Sequence, residues 1–463
     1  MKEELDFYFN DHIFIYHLNK RKYDLSCVEI VKETPLYTIC RINRWTIWAG
    51  GKKPDDRLLE LLPDEKFKEL TSLKTVKVRF TDRGVFIKNR RLAQLICEKL
   101  KRELVENDGW FRIPRVGLVL LPKVGILPVF DVETDKERSV DFELKFELRD
   151  YQREALDNFK GRGLITWPTG AGKSFIGIAV IKKMGVPSLI VVPSVDLCNE
   201  WFSKFERYTD ATKRGLVSNF SVSKIIKPIT IMTYASAVKY LSELRRIFKL
   251  LVFDEAHHAP ADSYIRIALS FPMLLTLTAS PYREDNKEYL IYGISGGGIA
   301  SYPWERFYRE GAVKRPRVYF VKARREKVLK YVLDKFKDEK ILVFIFELKD
   351  IDEVRRIGGK NFPVIHGRMT ALKRQSVLCL FKERRRGVLI VSIAGNEGID
   401  IPDARIGVVF SSLGGRREAV QRVGRLMRPK DKQPIVFYPY SDFDKVRNIV
   451  DTFRAHGFEV VVL

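Results

Sequence analysis

The sequence predicts an α/β protein in which two tandem parallel-sheet lobes follow a smaller α+β unit. From about residue 148 onward, short apolar runs alternate with helical patterns, which is typical of parallel sheets covered on both faces. After residue 311 a second series of the same kind and of similar size begins. With 463 residues, of which 45% are hydrophobic, the chain is long enough for several domains with their own cores.

The first predicted unit covers residues 1–140 and has few recognisable motifs. Its strand patterns cover residues 8–16 and 76–87, and its helical patterns cover residues 60–73 and 91–104. Residues 41–48 interleave arginine with tryptophan, a pattern that could stack on unpaired bases, but a strand with its aromatic side chains in a core is the favoured interpretation. Residues 131–138 are charged and predict a linker.

The two lobes are predicted at residues 141–285 and 312–463. Strand candidates in the first lobe are residues 163–167, 188–192, 228–232, 250–253 and 274–277. Those in the second lobe are residues 317–321, 341–346, 362–366, 387–391, 406–410 and 434–438. Residues 286–311 contain three consecutive glycines and predict a short insertion or hinge. Sheets of this kind bind ligands beyond the carboxyl ends of their strands.

A glycine-rich turn connects the first of these strands to a helical pattern. It consists of Thr169, Gly170, Ala171, Gly172, Lys173 and Ser174. Glycines let backbone N–H groups approach phosphate oxygens, and the start of a helix favours an anion. We therefore expect this P-loop to bind ATP, with Lys173 at the β- and γ-phosphates and the Ser174 hydroxyl on Mg²⁺. Trp167 stands where the first glycine of such loops usually lies.

Two acidic residues, Asp254 and Glu255, follow the apolar strand candidate at residues 250–253. Hydrolysis of ATP needs a carboxylate for Mg²⁺ and a second group that orients or deprotonates water. We expect Asp254 to hold the metal through water and Glu255 to act on the attacking water. Acids after a strand can merely cap a helix, but a P-loop earlier in the same chain makes that alternative less favoured.

The run Asp-Glu-Ala-His at residues 254–257, together with this P-loop, resembles superfamily 2 helicases and translocases, whose two lobes are RecA-like. The resemblance covers about residues 148–430. It implies that Gln152 reads the adenine base with Arg149 beside it, and that Ser194 and Thr233 contact the DNA backbone. It also implies a role in coupling nucleotide state to strand movement for three further residues, which are His257, Thr278 and Ser280.

The second lobe continues the resemblance. His366 and Gly367 are similar to the start of a strand-contact motif, and Gly398 and Asp400 lie in a stretch similar to motif V. Residues 421–428 are similar to motif VI, with Gln421, Arg422 and Arg425 as candidate catalytic residues. A guanidinium can stabilise charge on the γ-phosphoryl group, and Arg425 is the first choice for this task. Because it lies on the other lobe, hydrolysis would require the lobes to close.

One branch of the superfamily fits best. Residues 278–280 are similar to motif III, and Arg283, Glu284 and Asp285 follow them. This Arg-Glu-Asp element and residues 411–422 resemble XPB-type DNA repair helicases, particularly the short archaeal ones. That resemblance implies a role of the Arg-Glu-Asp element in opening duplex DNA, a 3′ to 5′ polarity and a partner nuclease. It also implies an N-terminal damage-recognition domain and a thumb-like insertion between the two lobes. Because residues 286–311 are a short segment, we expect this thumb to be reduced in size. A solvated turn is the alternative for residues 283–285.

The net charge of +24 predicts a polyanionic partner, and more than half of it lies in residues 311–463. Its clusters are residues 382–386 and 416–430. The favoured partner is forked DNA or a junction of single and double strands. Three alternatives stay open, namely a translocase on duplex DNA that does not unwind it, an ATP-gated DNA-binding scaffold with negligible turnover, and an RNA helicase.

Five scattered cysteines without a C-x-x-C spacing fit a reducing interior and argue against zinc or iron–sulfur sites. Apolar runs of membrane-spanning length and a signal peptide are both missing from the sequence. The sequence therefore predicts a soluble, intracellular protein. The resemblance implies a cytoplasmic, nucleoid-associated location and a motor that works as a monomer.

Overall fold

The computed structural model describes most of the chain from residue 74 onward and four short strands before it. The described residues are 5–6, 12–15, 28–33, 38–43, 74–81, 83–122, 126–133, 139–258, 261–279, 289–300, 302, 304–359, 361–392, 401, 403–411, 416–427 and 432–463. They divide into two compact units. One unit is Met1–Trp167 with Lys173–Tyr302, and the other is Pro168–Gly172 with Pro303–Leu463.

The first unit begins with a small antiparallel sheet. Its strands are β1 (Leu5–Asp6), β2 (His12–Ile15), β3 (Val28–Glu33) and β4 (Thr38–Asn43), in the order β1-β2-β4-β3. The arginine–tryptophan stretch starts within β4, and its residues 44–48 lie outside the described residues, as does the predicted helix at 60–73.

A second sheet of five strands follows. Its elements are β5 (Lys74–Thr81), β6 (Gly84–Ile87), α1 (Arg90–Lys99), β7 (Val105–Asn107), β8 (Trp110–Ile113), a 3₁₀ helix (Arg115–Leu120) and β9 (Ile126–Glu133). The order is β7-β8-β6-β5-β9, and β9 is parallel to β5. Residues 131–133 belong to β9, where Asp131 and Glu133 form ion pairs with Lys77 and Arg79, so this part of the predicted linker is instead an ordered strand.

The first lobe alternates strands and helices as predicted. Its elements are α2 (Asp150–Asn158), β10 (Arg162–Thr166), α3 (Lys173–Met184), β11 (Ser188–Val192), α4 (Val195–Tyr208), β12 (Val217–Asn219), α5 (Phe220–Ser223), β13 (Ile229–Thr233), α6 (Tyr234–Lys239), α7 (Leu241–Ile247), β14 (Leu250–Asp254), a 3₁₀ helix (Ala256–His258), α8 (Ala261–Ala268), β15 (Met273–Thr278) and α9 (Tyr289–Ser295).

All six strands of this lobe are parallel, in the order β10-β15-β14-β11-β13-β12. Every residue of β11, β14 and β15 is buried, which explains their unbroken apolar runs. Thr166 pairs with Thr278, and Asp254 pairs with Leu277. The carboxyl ends of β10, β15 and β14 therefore lie side by side at one edge of the sheet.

A buried arginine joins the five-stranded sheet to the first lobe. Arg162, at the start of β10, is 4% exposed and donates hydrogen bonds to four backbone carbonyls. These are the carbonyls of Ala268, Phe271, Pro272 and Ile294. Its guanidinium also lies 4.4 Å from the ring centre of Phe80 and 5.2 Å from that of Phe130. Burial lowers the pKa of Arg162 to about 9, which leaves it charged at neutral pH.

The segment predicted as an insertion or hinge contributes to both units. The hydroxyls of Ser295, in α9, and Thr276 lie 2.7 Å apart, and the amide of Ile299 donates to the carbonyl of Leu164. Helix α10 (Trp304–Arg309) belongs to the second unit. The domain limits 1–140, 141–285, 286–311 and 312–463 stay predictions.

The second lobe is a seven-stranded parallel sheet in the order β18-β19-β17-β20-β21-β16-β22. Its remaining elements are β16 (Arg317–Lys322), α11 (Arg325–Lys335), β17 (Lys340–Ile345), α12 (Asp350–Gly358), β18 (Val364–Ile365), α13 (Ala371–Glu383), β19 (Gly387–Ser392), β20 (Ile406–Val409), α14 (Arg416–Gly424), β21 (Ile435–Tyr440), α15 (Phe443–Ala455) and β22 (Glu459–Val462). The predicted fold class is confirmed, with β12 and β22 as additions at the sheet edges. In the described part of the chain, none of the helices combines the length and apolar character needed to span a bilayer.

We expect Arg162→Ala to destabilise the first unit by about 2–4 kcal/mol, because four carbonyls lose their donor and a cavity opens below Phe80. Urea unfolding of the full chain, followed by tryptophan fluorescence, measures the change. Arg214→Ala is the control, since Arg214 is exposed and a solvent-exposed ion pair such as the one with Asp210 contributes little to stability. Equal losses in both variants would contradict the role given to Arg162.

Candidate active site

The P-loop adopts a conformation that requires its glycines. Gly170 and Gly172 have φ angles of 90° and 84°, in the left-handed region that favours glycine. The amide of Ala171 donates to the carbonyl of Pro168 at 3.1 Å, which closes a turn before α3 begins at Lys173. Thr169 is half-buried. The loop thus leads from the carboxyl end of β10 directly into a helix N-terminus, a geometry that favours an anion.

The Lys173 side chain folds back onto the preceding strand end. Its Nζ donates to the carbonyl of Trp167 at 3.1 Å, and the residue is 9% exposed. Trp167, which replaces the usual glycine, is fully buried, and its indole donates to the carbonyl of Ala300. The tryptophan therefore anchors the start of the loop in the core, and its backbone oxygen holds the lysine in place.

Asp254, at the end of β14, is a buried carboxylate with two protein donors. Trp201 Nε1, on α4, donates to Asp254 Oδ2 at 2.8 Å, and the amide of Glu255 donates to Oδ1 at 2.9 Å. Burial and the adjacent Glu255 carboxylate raise the pKa of Asp254, while Lys173 and the Trp201 hydrogen bond lower it. A further cation at this carboxylate would be favourable, because it would offset the burial and the like charge.

Glu255 is held in an unusual conformation. Its φ angle is 49°, in the left-handed region that glutamate rarely adopts. The hydroxyl of Tyr234 donates to the carbonyl oxygens of both Asp254 and Glu255 and so fixes the backbone there. Glu255 Oε2 is buried, has no hydrogen-bond partner among the described residues and lies 3.5 Å from His257 Nδ1. Strain and a buried polar atom without a partner at one residue are typical of functional sites.

His257 links the ends of two neighbouring strands. Its Nδ1 lies 2.6 Å from the Thr278 hydroxyl at the end of β15, and both residues are buried. The structure thus brings together two of the three predicted coupling residues. The third, Ser280, lies outside the described residues.

The Ser174 hydroxyl has a partner that the sequence did not suggest. Lys204 Nζ, on α4, donates to Ser174 Oγ at 2.8 Å and to Glu200 Oε1 at 2.7 Å. Together with Trp201, this makes α4 a third element of the site beside the P-loop and the end of β14. A tryptophan and a lysine three positions apart on an amphipathic helix are a common pattern, so the only available sequence signal is too weak to single them out.

The predicted adenine-reading residues lie at the start of α2. Gln152 is 4% exposed, and its Oε1 accepts from the amide of Arg149 at 2.9 Å, which caps the helix. The ring of Tyr151 packs edge-on against Trp167, with 4.9 Å between ring centres. This contact ties α2 to the strand that carries the P-loop.

Ser194 and Thr233 lie at the carboxyl ends of β11 and β13, which are adjacent strands. Each side chain caps the next helix. Ser194 Oγ accepts from the amide of Leu197, and Thr233 Oγ1 accepts from the amide of Ser236. Both residues are therefore helix caps, and both stand at helix N-termini on the same edge of the sheet as Asp254.

In the second unit, Arg422 lies in α14 and is 2% exposed, whereas Arg425, just past the helix, is half-buried. Gln421 lies in the same helix. His366 follows β18, and its buried Nδ1 has no hydrogen-bond partner among the described residues, while Gly367 is exposed. The predicted residues Arg283, Glu284, Asp285, Gly398 and Asp400 lie outside the described residues.

The geometry of the first lobe fits phosphoryl-transfer chemistry. A lysine ammonium, a hydroxyl at a helix start and a buried carboxylate share one edge of a parallel sheet, with a second carboxylate adjacent in sequence. Known families match the chain in agreement with this arrangement. The family described as "Type III restriction enzyme, res subunit" matches residues 145–283, and the "Helicase conserved C-terminal domain" matches residues 323–430.

Two relatives and one solved structure show which proteins the chain is similar to. The "DNA 3'-5' translocase XPB2" of Sulfurisphaera tokodaii is 30% identical over 379 residues, which are 66% of this chain and 85% of that protein. A "Putative DNA 3'-5' helicase Rad25" of Halobacterium salinarum is 31% identical over 335 residues, which are 65% of this chain and 55% of the relative.

The structure of a single-residue variant of S. cerevisiae Dbp5 bound to RNA and ADP BeF3 superposes with a TM-score of 0.53 at 17% identity, over 68% of this chain and 89% of that one, and supports the fold of two RecA-like lobes. The family follows from two findings, namely the 30% identity to the Sulfurisphaera protein over 85% of its length and the matches to the two domain families. The chain belongs to the XPB-type family of superfamily 2 DNA helicases and translocases.

Proposed function

We propose that this protein uses ATP hydrolysis to move along DNA, and that Lys173, Ser174, Asp254 and Glu255 carry the hydrolysis. The observation that supports this most directly is a pair of buried side chains at one edge of the sheet, Lys173 at the start of α3 and Asp254 at the end of β14, with Ser174 next to Lys173. The 3′ to 5′ direction is taken from the names of the two relatives, which describe a translocase and a helicase of that polarity.

The residues present fit a Mg²⁺ ion. Asp254 is a buried carboxylate whose pKa is raised by burial and by Glu255, and a divalent cation would relieve both effects. Ser174 and Asp254 would hold this ion, Ser174 directly and Asp254 through water. When bound, it would neutralise charge on the β- and γ-phosphates and polarise the transferring group.

The chain's own groups then divide the remaining tasks. The backbone N–H groups of residues 170–174 would bind the phosphates, and the Lys173 ammonium would leave the Trp167 carbonyl to contact the γ-phosphate. Glu255 Oε2, buried and without a hydrogen-bond partner among the described residues, would accept a proton from the attacking water. Arg425 stays the first choice for stabilising the transition state and Arg422 the second, while Gln421 stays a predicted helper.

Adenine recognition by Gln152 and Arg149 also stays a proposal. Gln152 Oε1 already caps α2, so base recognition would use the amide nitrogen or would release that cap. Thr169, Gly170, Ala171 and Gly172 are the proposed loop contacts. Gly398 and Asp400 remain predicted nucleotide-binding residues from the resemblance alone.

DNA would be bound mainly through its backbone. Ser194 and Thr233 stand at helix N-termini, where backbone N–H groups favour phosphate, and His366 and Gly367 are the proposed counterparts in the second lobe. Residues 382–386 form an exposed basic cluster. A partner nuclease, a monomeric state and a nucleoid-associated cytoplasmic location are further predictions from the resemblance.

Movement on duplex DNA without strand separation is the second candidate function. One relative is named a translocase and another a helicase, and both activities would use the same ATPase site. The Arg283, Glu284 and Asp285 element is the proposed determinant of unwinding. Displacement of a triplex-forming strand measures movement on duplex DNA, and separation of forked DNA measures unwinding. Triplex displacement without separation of the fork would favour the translocase.

We expect Lys173→Ala to lower DNA-stimulated phosphate release by about 100-fold or more, because the ammonium at the transferring phosphoryl group is lost. Lys183→Ala is the matched control, since Lys183 lies on the same helix, is exposed and faces Asp157. Its turnover should equal that of the parent. Turnover of Lys173→Ala within about tenfold of the parent would refute the assignment of the P-loop.

Glu255→Gln should still bind Mg-ATP and DNA but should hydrolyse ATP at least about 100-fold more slowly, because the amide cannot accept a proton from water. Equilibrium binding of a fluorescent ATP analogue and single-turnover hydrolysis separate these two effects. The exposed Glu243, in α7 of the same lobe, provides the control Glu243→Gln. If Glu255→Gln turned over freely, another group would activate the water.

DNA affinity should fall steeply with salt. Neutralising about four phosphates would lower the affinity about 100-fold between 50 and 200 mM monovalent salt, because counterions are released on binding. Replacing Arg384 and Arg385, both exposed in the basic cluster, by Ala should reduce the salt slope by about 2 if both contact phosphates. Fluorescence anisotropy with a labelled fork measures both. An affinity that does not change over this range would rule out binding through the backbone.

A further inference from the structure

Helix α4 brings three polar or aromatic side chains to the nucleotide site. Trp201 is 1% exposed and donates to Asp254 Oδ2. Glu200 and Lys204 are one turn apart on the same helix and form an ion pair of 2.7 Å, with side chains 24% and 22% exposed. Residues four apart on a helix face the same way, so the ion pair holds the lysine ammonium in one direction.

That direction is toward the proposed metal site. Lys204 Nζ donates to Ser174 Oγ at 2.8 Å, and Ser174 Oγ is the oxygen that the proposed function assigns to Mg²⁺. Lys204 therefore supplies a positive charge where the bound nucleotide would bring a metal.

The ammonium and a divalent cation exclude each other at Ser174. Both bind the same oxygen lone pairs, and two positive charges a few ångströms apart in a partly buried setting repel each other. A lysine side chain carries its ammonium on a flexible chain of four carbons. It can therefore move away from the Ser174 hydroxyl while its charge stays near Glu200.

We propose that Lys204 is a built-in counter-cation, which occupies Ser174 in the nucleotide-free protein and must be displaced when Mg-nucleotide binds. This rests on the proposed function, since it needs Ser174 and Asp254 to hold Mg²⁺. Lys204 then sets the Mg²⁺ concentration at which nucleotide binds. It acts through Ser174 and is a positioning residue. Glu200 keeps the ammonium close by in both states.

The test is the Mg²⁺ dependence of binding of a fluorescent, non-hydrolysable ATP analogue to the full chain. Lys204→Met keeps the length of the side chain and removes its charge. It should lower the Mg²⁺ concentration for half-maximal binding about five- to tenfold, the usual range for coupled binding events. Lys204→Arg keeps the charge and should stay within about twofold of the parent. Met and Arg are both good helix formers, so both variants should fold.

Lys213→Met, at an exposed lysine of the same lobe, is the matched control and should behave as the parent. An unchanged Mg²⁺ midpoint in Lys204→Met overturns the proposal. So does weaker binding of the analogue at saturating Mg²⁺, which would make Lys204 a phosphate ligand instead. A midpoint that falls equally in Lys204→Arg overturns it as well, because the charge would not be the cause.

The parent protein separates this inference from the function on which it rests. If the parent binds the analogue equally well with Mg²⁺ and with a chelator, the metal site at Ser174 and Asp254 is wrong, and the inference fails with it. If binding to the parent depends on Mg²⁺ but Lys204→Met matches the parent, only the inference fails.

Discussion

The parallel pairing of β10, β15 and β14 is the constraint on which the chemistry of the first lobe depends. Thr166 pairs with Thr278, and Asp254 pairs with Leu277, so three strands end together at one edge. The P-loop and the acidic pair are far apart in the sequence. This register places them at the same edge of the sheet, after strands that are separated by β15. The strands are buried on both faces, and a densely packed sheet allows little relative movement of their ends. A one-residue shift would turn the Asp254 side chain to the other face.

The buried carboxylate is the most demanding feature of that edge. A charge removed from water is destabilising unless donors surround it, and Asp254 has the Trp201 indole and the Glu255 amide. A tryptophan suits this position because it fills the core with its rings and still offers one donor. Phenylalanine would fill a similar volume and leave Oδ2 without that donor. Lys173 and Lys204 add positive charge nearby and lower the pKa of Asp254, which offsets part of the effect of burial and of Glu255.

Much of the fold could be predicted from the sequence, because its strands are short apolar runs between glycine, proline and polar residues. The five strand candidates of the first lobe correspond to β10, β11, β13, β14 and β15, each within about one residue at either end. The P-loop and the acidic pair were predictable because each is a contiguous motif. Edge strands β12 and β22 were not, since a short strand on one side of a sheet has no distinctive pattern.

Contacts that depend on tertiary packing were beyond sequence reasoning. In the sequence Arg162 only precedes a strand candidate, and it is the packing of α8, α9 and the five-stranded sheet around it that reveals four carbonyl acceptors. The contact of Lys204 with Ser174 likewise depends on tertiary packing and has no sequence signal. Spacing along a helix tells which residues share a face but not what that face meets.

His257 connects the acidic pair after β14 with the end of β15. Glu255 Oε2 lies 3.5 Å from His257 Nδ1, and the same nitrogen lies 2.6 Å from the Thr278 hydroxyl. In the tautomer that is protonated at Nδ1, this nitrogen cannot donate to both oxygens equally well, so a closer contact with the carboxylate weakens the contact with Thr278. Thr278 ends the strand that leads toward Arg283, Glu284 and Asp285. Beyond them, α9 is fixed by the contacts of Ser295 with Thr276 and Tyr264. The shared nitrogen thus connects the proposed water-activating residue, through Thr278, to the end of β15.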